Sequence, residues 1–262
     1  MTNDQLIFFR KWFSEFVKSF YSPNREDQKN ISLKEEHTFK VCENMVDITK
    51  ELGLSDNDMM IAEVIALFHD IGRFPQYAKY KTFRDRKSVN HGFLGAETLL
   101  QVKILHTLPE KEQSLIIKAV RFHNTFSVSK AEKEEIAFFI KLIRDADKLD
   151  IWRVFLEYYG APEDQRASAA GLGLPDTTDY SEEVLSCIHN KKMVSLSQLK
   201  SLNDFKLMQL SWIYDINFKP SFRLLLEREY IGKIIHHLPD DEGIQKVSSV
   251  LKEYVRKKLE EI

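Results

Sequence analysis

An all-α fold is predicted by three features of this chain: few turn-forming residues, repeated helix-capping patterns, and apolar residues recurring every three or four positions. Only 9 Gly and 7 Pro occur in 262 residues, against 18 Phe, a balance that favours helices over a turn-rich β architecture. A hydrophobic content of 43% suffices for a substantial core, and the expectation is a single all-α domain over residues 1–262.

The elements follow in order. The opening MTNDQLIFFRKWFSEFVKSF interrupts its apolar residues with Asp4, Arg10, Lys11, Glu15 and Lys18, which suits an amphipathic helix and not a signal peptide. SPNREDQKN reads as a turn. Ser32 with Glu35 forms a capping-box pattern opening a helix on which His37 is followed by Val41, Met45 and Ile48, so His37 points inward. Ser55 with Asp58 repeats the pattern before MMIAEVIALFHD, with Gly72 placed to stop that helix. Residues 73–90 are expected to form a loop. His91 opens the next helix, and Pro109 starts another that ends near His123. Ser129 and Glu132 cap a helix leading through Asp147.

Residues 160–179, GAPEDQRASAAGLGLPDTTD, lack a sustained period and read as a long loop or an internal boundary. Helices resume as a C-terminal extension over approximately 180–262, broken near Pro220. Its last helix carries Ile244, Val247, Leu251, Tyr254 and Ile262 at near-heptad spacing. This extension is expected to pack on the same core.

Composition excludes several function classes. A net charge of −2 and a pI near 6.5 remove the electrostatic footprint of a duplex-nucleic-acid binder. Cys42 and Cys187 are the only cysteines, so neither a disulfide framework nor a thiolate metal site is expected, and a reducing cytosol is the simplest compartment. No run reaches the apolar length of a membrane span. The expectation is a cytoplasmic protein with no membrane partner; the sequence leaves its oligomeric state open.

Chemistry concentrates at His69-Asp70, two adjacent metal-capable side chains at the end of an apolar helix. His37 precedes them, and His91, His123 and Asp147 follow, each in a separate predicted helix or helix end. Imidazole and carboxylate ligands suit divalent Mn, Fe, Co, Ni or Zn. Bundles commonly build such sites from inward-facing residues of several helices.

The order H…HD…H…H…D resembles the HD superfamily of metal-dependent phosphohydrolases. The resemblance covers approximately residues 30–155 and rests on EEHTFKVCENM, LFHDIGR, NHGFLGAETLL, KAVRFHN and RDADKLD. It implies an HD-domain helical bundle with additional N- and C-terminal helices packed on it. It also implies His37, His69, Asp70 and Asp147 as metal ligands. Branches with two metals add histidines matching His91 and His123, with Asp70 bridging. The family pattern selects Asp147, before Lys148-Leu149, over Asp145; Asp150 is a candidate partner for a metal-bound imidazole. His106, His189, His236 and His237 fall at no family position and are read as structural.

One or two divalent metals in such a site lower the pKa of bound water from about 15.7 towards 7. The expected reaction is hydrolysis of a phosphate ester or anhydride in a small phosphorylated metabolite or nucleotide, with Asp70 and Arg73 as catalytic residues. Arg73 lies one turn after His69. The run RFPQYAKYKTFRDRKS sets Arg73, Lys79, Lys81, Arg84, Arg86 and Lys87 against only Asp85, interleaved with aromatics; it reads as a cationic lid, with Arg73, Lys81, Arg84 and Arg86 as substrate-binding candidates. The same six ligand types also serve di-iron oxygenases of the superfamily, and a non-catalytic ligand-binding HD module is a further alternative. The acidic pair that the alarmone hydrolases carry after the HD dipeptide is replaced here by Arg73-Phe74. The paired histidines and Gly-Tyr-Pro of the cyclic-di-nucleotide branch do not occur.

Overall fold

In the computed structural model, which describes residues 1–169 and 173–261, the chain is all-α, with no strand among the described residues. Its contacts group into two compact units: Met1–Asp150 with Glu163–Ala170, and Ile151–Pro162 with Gly171–Ile262. Where the sequence suggests one domain with an extension from about 180, this division falls inside one long helix.

The first unit holds α1 (Asn3–Lys18), α2 (Arg25–Glu51), α3 (Asp56–Phe68), α4 (Arg73–Tyr80), α5 (His91–Val102), α6 (Glu110–Phe122) and the first part of α7 (Glu134–Gly160). Helix α3 is its axis. Every residue from Ile61 to Phe68 is buried, including Glu63, whose carboxylate pairs with Arg10 of α1, and α1, α2 and α6 pack around the helix. Helices α5 and α6 pair, and α4 joins α2 to α5. Buried Asn44 on α2 donates to the Ala146 carbonyl of α7, fixing α7 beside α2 at the turn that carries Asp147.

Three boundaries differ from the sequence reading, each for a local reason. Helix α2 starts at Arg25, because Asn24 caps it by accepting from the Glu26 and Asp27 amides; Ser32 and Glu35 then lie inside the helix. Helix α7 begins at Glu134, beyond the Ser129–Glu132 pattern. Within 73–90, residues 73–80 are helical, and a 3-10 turn spans Asp85–Lys87. Pro75 is tolerated there because it falls in the first turn, where its missing N–H has no intrahelical acceptor. Phe74 and Tyr77, one turn apart, enter the core. Ser55 does cap α3, and His91 does open α5.

Gly72 acts differently from a helix stop. It has an ordinary φ of −68° and precedes α4. What demands glycine is proximity: a Cβ at this position would overlap the His91 carbonyl oxygen and stand 2.6 Å from the Gly95 nitrogen. Gly92 meets α6 in the same way, with the Arg121 carbonyl 2.9 Å from where its Cβ would be. These two absences of side chain bring the backbones bearing Asp70, His91 and His123 together.

The second unit contains the end of α7, α8 (Glu182–His189), α9 (Leu202–Ser211), α10 (Lys219–Glu227), α11 (Tyr230–Ile235) and α12 (Glu242–Glu260). Trp152 is its largest buried side chain, donating to the Gln209 carbonyl and lying against Trp212 and Tyr230. Pro220 sits in the first turn of α10. Ile244, Val247 and Leu251 form the buried stripe of α12; Ile262, assigned to the same stripe, lies outside the described residues. No helix among the described residues is long and apolar enough to cross a membrane.

Because backbone atoms would obstruct the new methyl group, Gly72→Ala is expected to cost about 1–3 kcal/mol, the usual range for overpacking. Urea denaturation reads this as a lower midpoint at constant slope; an unchanged midpoint would contradict the close approach.

Candidate metal centre

Two helix ends in the first unit build the centre by the same device. The last carbonyls of an α-helix have no intrahelical partner. His69 at the C-cap of α3 turns back so that its Nδ1 lies 2.7 Å from the Ala66 carbonyl, and His123 at the C-cap of α6 does the same to Val120, also at 2.7 Å. A carbonyl only accepts, so each Nδ1 carries the proton and each Nε2 keeps a lone pair. The ring is thereby fixed in orientation and in tautomer.

The other two imidazoles reach the same state through carboxylates. His37, in mid-α2, has Nδ1 2.7 Å from Asp150 Oδ2 on α7. His91, the first residue of α5, has Nδ1 2.8 Å from Asp85 Oδ2 in the 3-10 turn. All four Nε2 atoms then face inward: those of His37 and His69 are 3.4 Å apart, and those of His91 and His123 are 3.1 Å apart. In the neutral rings no proton remains to join them; a second proton on His37 would sit on Nε2, facing Asp147. Lone pairs held against lone pairs are repulsive unless a cation lies between.

Asp70 spans the two pairs, with each carboxylate oxygen facing one of them. Its Oδ2 is 3.6 Å from His37 Nε2 and 3.8 Å from His69 Nε2; its Oδ1 is 3.3 Å from His91 Nε2 and 3.8 Å from His123 Nε2. His37, His69 and Asp70 form one triad able to hold a metal ion, and Asp70, His91 and His123 a second. Asp147 joins the first, its Oδ1 3.1 Å from His37 Nε2 and 3.7 Å from His69 Nε2. That oxygen is buried without a hydrogen-bond partner, as a ligand atom awaiting a cation would be. Residues and geometry therefore fit a divalent metal.

Electrostatics keeps the ligands ready. Burial, then the neighbouring rings of His91 and His69, hold the His123 pKa down to about 3. Burial and then Arg73 lower that of His91. Although burial opposes its charge, Asp70 is held well below the ordinary carboxylate range by Lys34, His69, Arg73 and His91. Asp147 is likewise depressed against burial, by His37 and His69. His37 goes the other way: burial and Lys34 favour the neutral ring, but Asp147 and Asp150 outweigh them and raise its pKa.

All six residues that the sequence singles out as ligand candidates thus converge, and Asp150 is the acceptor beside the His37 imidazole. The predicted substrate-binding residues are placed differently. Arg73 points inward: Nε lies 3.3 Å from Asp70 Oδ1, while Nη1 donates to Phe83 O, Gln76 Oε1 and Asp85 Oδ1. Lys81 pairs with Asp27 at 2.7 Å. Arg84 is half-buried and Arg86 exposed.

Two residues escaped the sequence reading. Asp85, the lone acid of the basic run, accepts from His91, Arg73, Gln76 and Asn124; His91 and then Arg73 hold its pKa near 2 despite burial. Lys34, three residues before His37, places Nζ 2.7 Å from Asp70 Oδ2. The available signals were the single opposite charge in a cationic stretch and helical spacing from a ligand.

Two outcomes follow for the metal-binding protein. Asp85→Ala, by removing the acceptor that orients His91, should weaken binding at that triad by about 10–100-fold; metal titration with unaltered affinity would contradict this. Because a metal must displace the proton that Asp147 and Asp150 favour on His37, whose pKa they raise, affinity should fall and proton release should rise as the pH is lowered through that raised pKa. Asp70 and Asp147 are already ionised and His123 already neutral, so they add nothing. Calorimetry in buffers of different ionisation enthalpy measures the released proton, and a buffer-independent heat would refute its presence.

Comparison with known families supplies independent support. The HD domain family model matches residues 35–152, a span holding all six converging side chains. Neither curated proteins nor solved structures give a match. Over residues 35–152 the chain is similar to the HD domain family.

Proposed function

We propose that this chain is a divalent-metal-dependent hydrolase acting on a phosphate ester or anhydride of a small metabolite or nucleotide. The observation that carries the reading is the convergence of four Nε2 atoms and Asp70 into two triads sharing that carboxylate, with Asp147 beside the first. His37, His69, Asp147 and Asp70 Oδ2 would hold one ion; His91, His123 and Asp70 Oδ1 would hold the other. A bound pair of ions supplies a water that ionises near neutral pH and neutralises charge on phosphoryl oxygens.

The protein's own part is positional. His37, His69, His91 and Asp70 are almost wholly buried, so bulk water is kept from the ligand side and charges there act through a poorly screening medium. Asp147, with 17% of its side chain exposed, marks the open flank. Arg73 joins Asp70 to Asp85 and so couples the shared carboxylate to the partner of His91. Similarity over residues 35–152 to the HD domain family, whose members are mostly metal-dependent hydrolases, supports this reading.

Elemental analysis combined with an anaerobic screen of p-nitrophenyl phosphate and nucleotides tests the reading. Wild type should retain metal and turn over at least one of these compounds without dioxygen. Asp70→Ala should lose both ions and about 10³-fold or more in rate, as expected when charge stabilisation of the transition state is removed. Unchanged metal content in Asp70→Ala, or turnover that requires dioxygen, would contradict the proposal.

A further inference from the structure

We infer that Lys34 is a substrate-facing cation, binding a phosphoryl oxygen at the open flank of the metal centre with the ring of Phe83 beside it; this rests on the phosphohydrolase reading. Lys34 lies immediately before the matched HD span, one helical turn before His37. Its ammonium is 2.7 Å from Asp70 Oδ2 and 5.5 Å from the Phe83 ring centroid, and its side chain is 15% exposed.

An ammonium carries three donors and no lone pair, so it cannot ligate a metal. Its partner oxygen is the one that faces His37 and His69. Once that oxygen shares its charge with a divalent ion, a mostly buried ammonium requires another anion. The phosphoryl group is the anion this centre would receive. A four-carbon stem allows Nζ to shift from carboxylate to substrate without moving α2, and the face of Phe83 can accompany it through a cation–π contact.

Other cations nearby already have partners. The Arg73 Nη1 group serves Phe83 O, Gln76 and Asp85. Lys81 pairs with Asp27 and is 56% exposed. Lys29 binds the carbonyls of Asp164 and Arg166 and pairs with Glu26. Lys34 is the cation whose charge is directed at the shared ligand Asp70 from the side of α2.

The test uses the full-length, metal-loaded protein with inorganic phosphate as the probe, comparing wild type, Lys34→Met, Lys34→Gln, Lys34→Arg and, as an exposed control on the same helix, Lys40→Met. Bound metal is measured by elemental analysis, phosphate affinity by calorimetry and folding by circular dichroism. Both neutral variants should keep wild-type metal content and bind phosphate about tenfold or more weakly, the loss of one charge-assisted hydrogen bond. Lys34→Arg should retain most of the affinity, and Lys40→Met all of it. Unaltered phosphate affinity in a folded neutral variant would overturn the assignment alone. Loss of metal from that variant would overturn it too, making Lys34 a positioning residue for Asp70. Wild type that holds metal but binds no phosphate would instead overturn the phosphohydrolase reading and this inference together.

Discussion

Four imidazoles that each direct Nδ1–H outward to an acceptor and Nε2 inward are the constraint on which the first unit depends. Each Nδ1 has an acceptor chosen from outside the cluster: Ala66 O, Val120 O, Asp85 or Asp150. With the proton held there, each Nε2 lone pair is committed to the interior, and Nε2 atoms stand 3.1–3.4 Å apart across each pair. Left uncompensated, this opposes folding, because buried acceptors without donors carry a desolvation cost. A centre so arranged would gain stability from a cation, which would link metal affinity to folding stability.

The scaffold makes that arrangement with few special devices. Two helix C-termini supply carbonyls that would otherwise lack partners, and histidine is the side chain able to use one nitrogen there and offer the other inward. Gly72 and Gly92 let the turn after Asp70 and the start of α5 approach to distances that a Cβ would forbid. Asp85 and Arg73 then tie His91 and Asp70 into one network. The resulting division of labour separates ligands on helices from their orienting acid in a short 3-10 turn.

Much of this was legible in the sequence, for a physical reason. An all-α fold is written in helical periodicity. The ligands stand out because histidine and aspartate among buried apolar residues need an explanation that packing does not provide. Asp147 faces His37 and His69, on the helix face that its family position implies. What the sequence hid is three-dimensional. That α2 begins at Asn24 instead of Ser32 depends on which side chain meets free amides. The role of Gly72 is set by a backbone twenty residues away, and no local pattern reports it. Lys34 and Asp85 are ordinary surface types by composition, and only their distances to Asp70 and His91 reveal them. The basic run misled in one respect: several of its charges and rings hold the fold, with Phe74 and Tyr77 buried and Arg73 turned inward.

Asp70 as the link between two ion sites is the central claim, and electron paramagnetic resonance of the Mn²⁺-loaded protein tests it most directly. Two ions bridged by one carboxylate, about 3.5–4 Å apart as in two-metal sites, give an exchange-coupled spectrum at full loading. Titration should show this spectrum growing in as the second equivalent binds. A spectrum of isolated Mn²⁺ ions, or saturation at a single equivalent, would contradict a shared Asp70.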